Sequence, residues 1–244
     1  MEKQPYVLDL HGHTNRSLPE ILPYGYKQAI EQAKSIGLHG IAITEHNTLR
    51  GLQEALEYAD RRRIIVVPGT EISDISFSGF IPTSHHILAL GINPYKVKTD
   101  RVPVLKQARD VVSWIHDQGG VALGVHAKPK STFMSMSHDQ LEELASILDG
   151  MEVINGRDFF KNGLMENTIM KEIATKYGSA QTGGSDFHSL SMIGVVATKV
   201  FRNCEKWQDV IEAIKQRQVE PFIRSAIPFK LGQKIKISKM FFSS

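Results

Sequence analysis

Short apolar runs recur along the chain, each followed by a stretch whose apolar residues return every three or four positions. This rhythm predicts alternating strands and helices. The runs at 6–10, 40–44, 64–67, 86–90, 121–125, 151–154 and 179–182 predict strands. Tyr26, Ala29, Ile30, Ala33 and Ile36 mark one amphipathic helix, and Leu105, Ala108, Val111, Val112 and Ile115 mark another. Further helices are predicted over 52–62, 137–148 and 164–177, and Trp207, Val210, Ile211 and Ile214 supply the stripe of a last one. Gly37, Gly119, Gly120 and Gly178 stand where these helices stop. Roughly seven strand-helix units in 244 residues is the size and rhythm of an α/β barrel, with a doubly wound open sheet as the competitor. No repeat or linker divides the chain, so one barrel domain is expected over 1–244. The stretch 73–84 reads as a loop, either a surface connection or a lid. The basic tail at 229–244 reads as a solvated edge strand.

Composition narrows this reading. With 29 Lys and Arg against 26 Asp and Glu, the formal net charge is +3, too balanced to call for nucleic acid. The one cysteine, Cys204, excludes an intrachain disulfide and a cysteine-rich zinc cage, which suits a reducing compartment. No apolar run approaches about 18 residues and no leader pattern opens the chain, so a cytoplasmic protein with no membrane partner is expected. The unusual figure is ten histidines.

Their placement is regular. The first strand closes on DLHGHT, where His11 and His13 project to the same side of an extended backbone. The second closes on AITEHNT with Glu45 and His46, and the third gives PGTEIS with Glu71. The fourth begins HHILAL at His85 and His86, the fifth ends GVH at His126, and the last clear unit reads TGGSDFHS with Asp186 and His188. In a parallel barrel the C-terminal strand ends converge on one face. His86, at the start of its run, joins them if its strand runs antiparallel or begins at the rim. Imidazole and carboxylate without thiolate suit Zn²⁺, Mn²⁺ or Fe²⁺, and more than four ligands imply more than one ion. A lone strand-end histidine is more often structural, but so many converging together are not. His85 points opposite to His86 and is read as structural. His39, His116 and His138 are given no role.

In this order, DLHGHT, AITEHNT, PGTEIS, HHILALGI, GVHAKP and GGSDFH resemble the PHP (polymerase and histidinol phosphatase) superfamily of metal-dependent phosphoesterases, over residues 9–188. TLRGLQEA after His46 and the HILALG run look most like its stand-alone phosphatases. The resemblance implies a distorted (β/α)7 barrel and two to three divalent ions. Carried over by motif, the first ion takes His11, His13, Glu71 and Asp186, and Glu71 bridges to a second held by His86 and His126. A third takes His46, His188 and an acid normally found in an SDG sequence. Here the matching stretch is Ser17, Leu18, Pro19. Glu20 is the substitute at hand; otherwise the third site is weak or empty. Glu45 and Asp9 are expected behind the ligands, Asp9 orienting His11 or His13 through the far ring nitrogen.

Paired cations share a hydroxide and clamp the oxygens of an in-line displacement, so no nucleophilic side chain is needed. Asp186 and His188 are placed to assist the leaving oxygen. Arg157 is the preferred phosphate anchor, with Arg16 and Lys128 as further candidates. The expected substrate is a small-molecule phosphate monoester of the nucleotide, histidinol phosphate or sugar phosphate type. A nuclease, an amidohydrolase-type C–N hydrolase and an inactive metal-binding regulatory module are the alternatives.

Overall fold

The computed structural model describes residues 4–17, 22–74, 76–78, 81–83, 85–97, 102–127, 136–158 and 164–224, and for 76–78, 81–83 and 164–167 the backbone alone. The strands are β1 (Tyr6–Asp9), β2 (Gly40–Ile43), β3 (Ile65–Ser73), β4 (Ser76–Ser78), β5 (Ile81–Thr83), β6 (His86–Leu90), β7 (Val121–Gly124), β8 (Gly150–Asn155), β9 (Ala180–Gly184), β10 (Val196–Val200) and β11 (Val219–Ile223). The helices are α1 (Tyr26–Ser35), α2 (Leu52–Arg62), α3 (Ala108–Asp117), α4 (His138–Leu144), α5 (Leu164–Tyr177) and α6 (Trp207–Lys215). All seven expected strands are present, in a nine-stranded sheet ordered β11-β10-β1-β2-β3-β6-β7-β8-β9.

The sheet curls into a distorted barrel. β1, β2 and β3 run parallel, as do β7, β8 and β9. Between these blocks β6 is antiparallel to both β3 and β7, so His86 at its start reaches the same end as Glu71 near the close of β3. At the seam, the Thr198 hydroxyl on β10 donates to the Gly183 carbonyl on β9 at 2.7 Å and accepts from the Gly183 N–H at 2.9 Å. Just beyond β1, Gly12 bridges to Phe187. A Cβ at Gly12 would lie 1.8 Å from the buried Phe187 ring, so the closure requires glycine there.

Alternation along the strands separates two apolar layers. Leu8, Ala42, Val67, Leu88, Leu90, Val121 and Leu123 fill the barrel, whose end opposite the histidines is stoppered by Val210, Ile211 and Ile214 of α6. Ile41, Ile43, Val66, Ile87 and Ala122 face outward and pack beneath α1, α2 and α3 through Ile30, Ala55, Val111 and Ile115. Among the described residues, no helix is long and apolar enough to cross a membrane.

Three features differ from the sequence expectation. The stretch read as a loop carries a two-stranded ribbon, with Ser76 opposite Thr83 and Ser78 opposite Ile81. β3 runs on to Ser73 because β6 pairs with it along 69–73. β10 and β11, antiparallel to each other, extend the sheet beyond β1. The tail expected as an edge strand, together with Leu18, Glu20 and Lys128, lies outside the described residues.

Candidate metal centre

The strand ends bring His11, His13, His46, Glu71, His86, His126, Asp186 and His188 to one buried cluster. Glu71 is its hub. Its Oε2 lies 3.5 Å from His11 Nε2, 3.2 Å from His13 Nε2 and 3.0 Å from His46 Nδ1. Its Oε1 lies 2.7 Å from both His86 Nδ1 and His126 Nε2. The two oxygens of one carboxylate thus serve two sets of imidazoles. Asp186 adds Oδ1 at 3.2 Å from His13 Nε2 and 3.8 Å from His11 Nε2. Asn47, His126 and Asp186 hold positive φ of 56°, 31° and 51°, and strain of this kind gathers at functional sites.

A web behind the ligands fixes the rings. Glu152 Oε1 stands 3.0 Å from His11 Nδ1, and the Ser17 hydroxyl stands 3.0 Å from His13 Nδ1 while accepting the His46 N–H at 3.0 Å. Asp9 plays a different part from the one expected. Its carboxylate accepts the N–H groups of His11, Ser185 and Gly194 and the Ser185 hydroxyl, so it fixes the backbone, and the acid at the far nitrogen of His11 is Glu152. Glu45 accepts the N–H and hydroxyl of Thr14, next to His13. Asn47 clamps the end of β3, accepting the Ser73 N–H at 2.7 Å and donating to the Ser73 hydroxyl at 2.9 Å. Glu152 escaped the sequence reading; its signal is a lone carboxylate in the buried strand GMEVIN. His85 is buried and pairs with Asp74 at 3.4 Å, a structural role as expected.

Charge and burial oppose each other throughout. Burial alone raises the Glu71 carboxyl, but the imidazoles of His86, His46 and His11 outweigh it and hold the group well below its ordinary value. Burial also works against protonation of His13, yet the carboxylates of Asp186 and Glu71, each 3.2 Å from its Nε2, raise it to about 9. His11 is raised by Glu152, Asp186 and Glu71 against the same penalty. His188 goes the other way, lowered to about 4 by burial and by the charge of His13. Burial pushes Asp9 up to about 6 despite the bonds it accepts.

The donor set fits divalent metal. His11 Nε2, His13 Nε2 and His46 Nδ1 are buried and lack any hydrogen-bond partner, which is costly unless something else takes their lone pairs. Ligand atoms about 2.1 Å from one ion stand roughly 3 to 3.4 Å apart, the spacing seen around Glu71. Three groups gather within ligand distance: His11, His13 and Glu71; His46, Glu71 and His86; and His13, His46 and His188.

Of the expected phosphate anchors, Arg157 reaches the cluster, its Nη1 lying 3.0 Å from His188 Nε2. Arg16 is exposed and runs beside Gly51 at the start of α2. Asn155 shapes the turn before Arg157, accepting the Asp158 N–H at 3.0 Å and donating to Glu152 at 2.7 Å.

Comparison with known proteins agrees with this geometry. A family model described as PHP-associated matches residues 165–219. An uncharacterized protein of Methanocaldococcus jannaschii is 29% identical over 178 residues, 69% of this chain and 94% of that protein. A phosphoribosyl 1,2-cyclic phosphate 1,2-diphosphodiesterase of Eggerthella lenta is 36% identical over 86 residues, 35% of this chain and 31% of its own length. Among solved structures, a two-domain protein of Bacteroides vulgatus, described as containing a predicted PHP-like metal-dependent phosphoesterase, superposes with a TM-score of 0.66 at 19% identity. The match covers 90% of this chain and 65% of that one. The lesion-specific endonuclease EndoQ of Pyrococcus furiosus shares the fold at a TM-score of 0.56 and 13% identity, over 86% of this chain and 56% of its own. The PHP-associated match over residues 165–219 and the shared barrel fold agree with the resemblance carried by the ordered histidine motifs.

Proposed function

We propose that the protein is a metal-dependent phosphoesterase acting on a small-molecule phosphate ester, a monoester of a nucleotide, histidinol or a sugar. The observation that carries this reading is Glu71, whose two oxygens each face a separate set of buried imidazoles. Divalent ions held there would lower the pKa of water and neutralise phosphoryl oxygens. Zn²⁺, Mn²⁺ and Fe²⁺ all suit these ligands.

The chain's own residues supply the rest. His11 and His13 are held in register by Glu152 and Ser17, so the ligand atoms need no reorganisation on binding. Arg157 offers a planar guanidinium to two phosphoryl oxygens. Asp186 and His188, next to the first ion's ligands, would assist the leaving oxygen. The +3 net charge supplies no basic groove of the kind nucleic acid requires, which favours a small substrate over an oligonucleotide. The soluble, cytoplasmic setting expected from the sequence fits such a substrate.

The test is phosphate release by Mn²⁺-loaded protein from nucleoside monophosphates, histidinol phosphate, sugar phosphates, a cyclic sugar phosphate and a short oligonucleotide. Release from a small ester, abolished in His13→Ala, supports the reading. Release from the oligonucleotide alone replaces it with a nuclease. Silence across the panel with metal bound overturns phosphoester hydrolysis.

A further inference from the structure

We infer that Asn47 is a positioning residue, whose amide stands in for a missing strand beside the end of β3 and so sets where His86 stands relative to Glu71. The inference rests on reading the cluster as a metal centre, whichever ester is cleaved there. β3 has two neighbours of unequal length. Its ladder with β2 stops at the pair Ile43–Pro68, whereas its ladder with β6 runs from Gly69 to Ser73. The last residues of β3 thus have a strand on one side only, and the N–H and C=O groups on the other side still require partners. The turn after β2 supplies them. The Glu71 N–H donates to the Glu45 carbonyl at 3.1 Å and the Glu71 carbonyl accepts the Asn47 N–H at 2.9 Å, which makes a single bridge between His46 and Glu71. One step on, at Ser73, the partner is a side chain. Asn47 accepts the Ser73 N–H at 2.7 Å and donates to the Ser73 hydroxyl at 2.9 Å. Its φ of 56° lies in the left-handed region that asparagine tolerates better than most residues.

Ser73 is the residue paired with His86. Just beyond it, the Asp74 N–H donates to the His85 carbonyl at 2.8 Å, and Asp74 Oδ1 accepts the His85 N–H at 2.7 Å. Both residues are buried. A continuous strap therefore leads from Asn47, the neighbour of His46, through Ser73 and Asp74 to His85, the neighbour of His86. It encloses the donor group formed by His46, Glu71 and His86. His11 and His13 are braced separately, by Glu152 and Ser17. The two braces thus govern different sides of Glu71. Register is what the strap protects: His86 Nδ1 lies 2.7 Å from Glu71 Oε1, and a slip of one residue between β3 and β6 would turn that imidazole to the opposite face of the sheet.

Titration of metal-free, folded protein with Mn²⁺, followed by calorimetry and by electron paramagnetic resonance, tests this. Asn47→Gly keeps the left-handed turn without strain and removes only the amide. It should weaken the ion on the His86 side of Glu71 about 10-fold, leave the ion at His11 and His13 at wild-type affinity, and replace the coupled spectrum of ions sharing a carboxylate by that of an isolated ion. Asn47→Asp, which retains an oxygen for the Ser73 N–H, should recover the loss at that ion alone. Glu152→Gln, which loosens His11, should weaken the other ion, and the two effects should add in the double variant. Unchanged affinities in Asn47→Gly overturn the inference, as does equal weakening of both ions or a failure of Asn47→Asp to recover either. If Asn47→Gly does not fold, Ser73→Ala decides: it removes only the 2.9 Å contact and should weaken the same ion about 3-fold, and an unchanged affinity there overturns the inference. Wild-type protein that binds no Mn²⁺ overturns it together with the metal centre. The expected binding with no phosphate released from any ester would overturn the phosphoesterase reading and leave the role of Asn47 standing.

Discussion

Two corners of one site, joined by His13 and His188 with ring centroids 4.6 Å apart, are built on opposite electrostatic plans. Around Glu71 and Asp186, carboxylates sit among imidazoles whose lone pairs lack partners. Around His188 the charged neighbour is a guanidinium, its Nη1 3.0 Å from Nε2 and 3.4 Å from Nδ1, while Nδ1 faces the Asp186 carbonyl at 2.8 Å. The first corner is complete when it gains cations. The second already has a cationic side chain beside it. Residue type alone does not distinguish them, because both are lined with histidine; the second atom of each ring and the sign of the nearest charge do.

The largest expected effect comes from erasing the hub of the first corner. Glu71→Gln should cost both ions and abolish hydrolysis; metal analysis finding two ions per chain in that variant would refute the division between the corners. The next effect is a pH dependence. His13, raised from 6.5 to about 9, binds a proton more tightly in the metal-free fold than in the unfolded chain. Its stabilisation, at most about 3 kcal/mol, is complete below pH ~6.5 and lost as pH rises to ~9. The melting temperature of metal-free protein should fall across that window, and metal affinity should rise with pH as the competing proton leaves. Calorimetric titrations in buffers of different ionisation enthalpy would count the released protons, and a count of zero would refute the assignment.

A smaller effect is expected from Glu152→Gln, which keeps the shape but weakens the grip on His11. Metal affinity should fall about 10- to 100-fold, measured by competition with a chelating dye, with little change at the Arg157 corner. The smallest is Thr14→Val, which removes one hydroxyl donor from Glu45 and should cost about 1 kcal/mol in denaturant unfolding without altering the number of bound ions.

Much of this was legible in the sequence, for reasons that differ element by element. Six of the seven expected strands announce themselves because apolar runs and metal-ligand residues coincide, and His86 at the start of its run called for a reversed strand or one beginning at the rim. β10 and β11 were hidden: VATKV is short and VEPFI is a partly exposed strand carrying Glu220 and Pro221, so neither shows a clean apolar run. Within the site, ligand types could be read because metal chemistry restricts them. The second layer could not, because a carboxylate that braces a ring and one that accepts backbone N–H groups look alike in sequence. For that reason the ring-orienting role expected of Asp9 falls to Glu152, which the sequence reading passed over, the deciding fact being a contact 141 residues apart.

The bonds made by Asp9 carry a consequence for how the protein comes into being. Its carboxylate joins the exit of β1 to Ser185 and Gly194, 176 and 185 residues further along. A nascent chain therefore presents DLHGHT to the cell long before anything can hold it in place. A polypeptide released at residue 190 would contain all six quoted motifs yet lack the Gly194 contact and both strands that extend the sheet past β1. Synthesis order thus makes this centre a late product of translation: its earliest ligands wait, exposed to solvent and to stray metal, for the last part of the barrel to arrive.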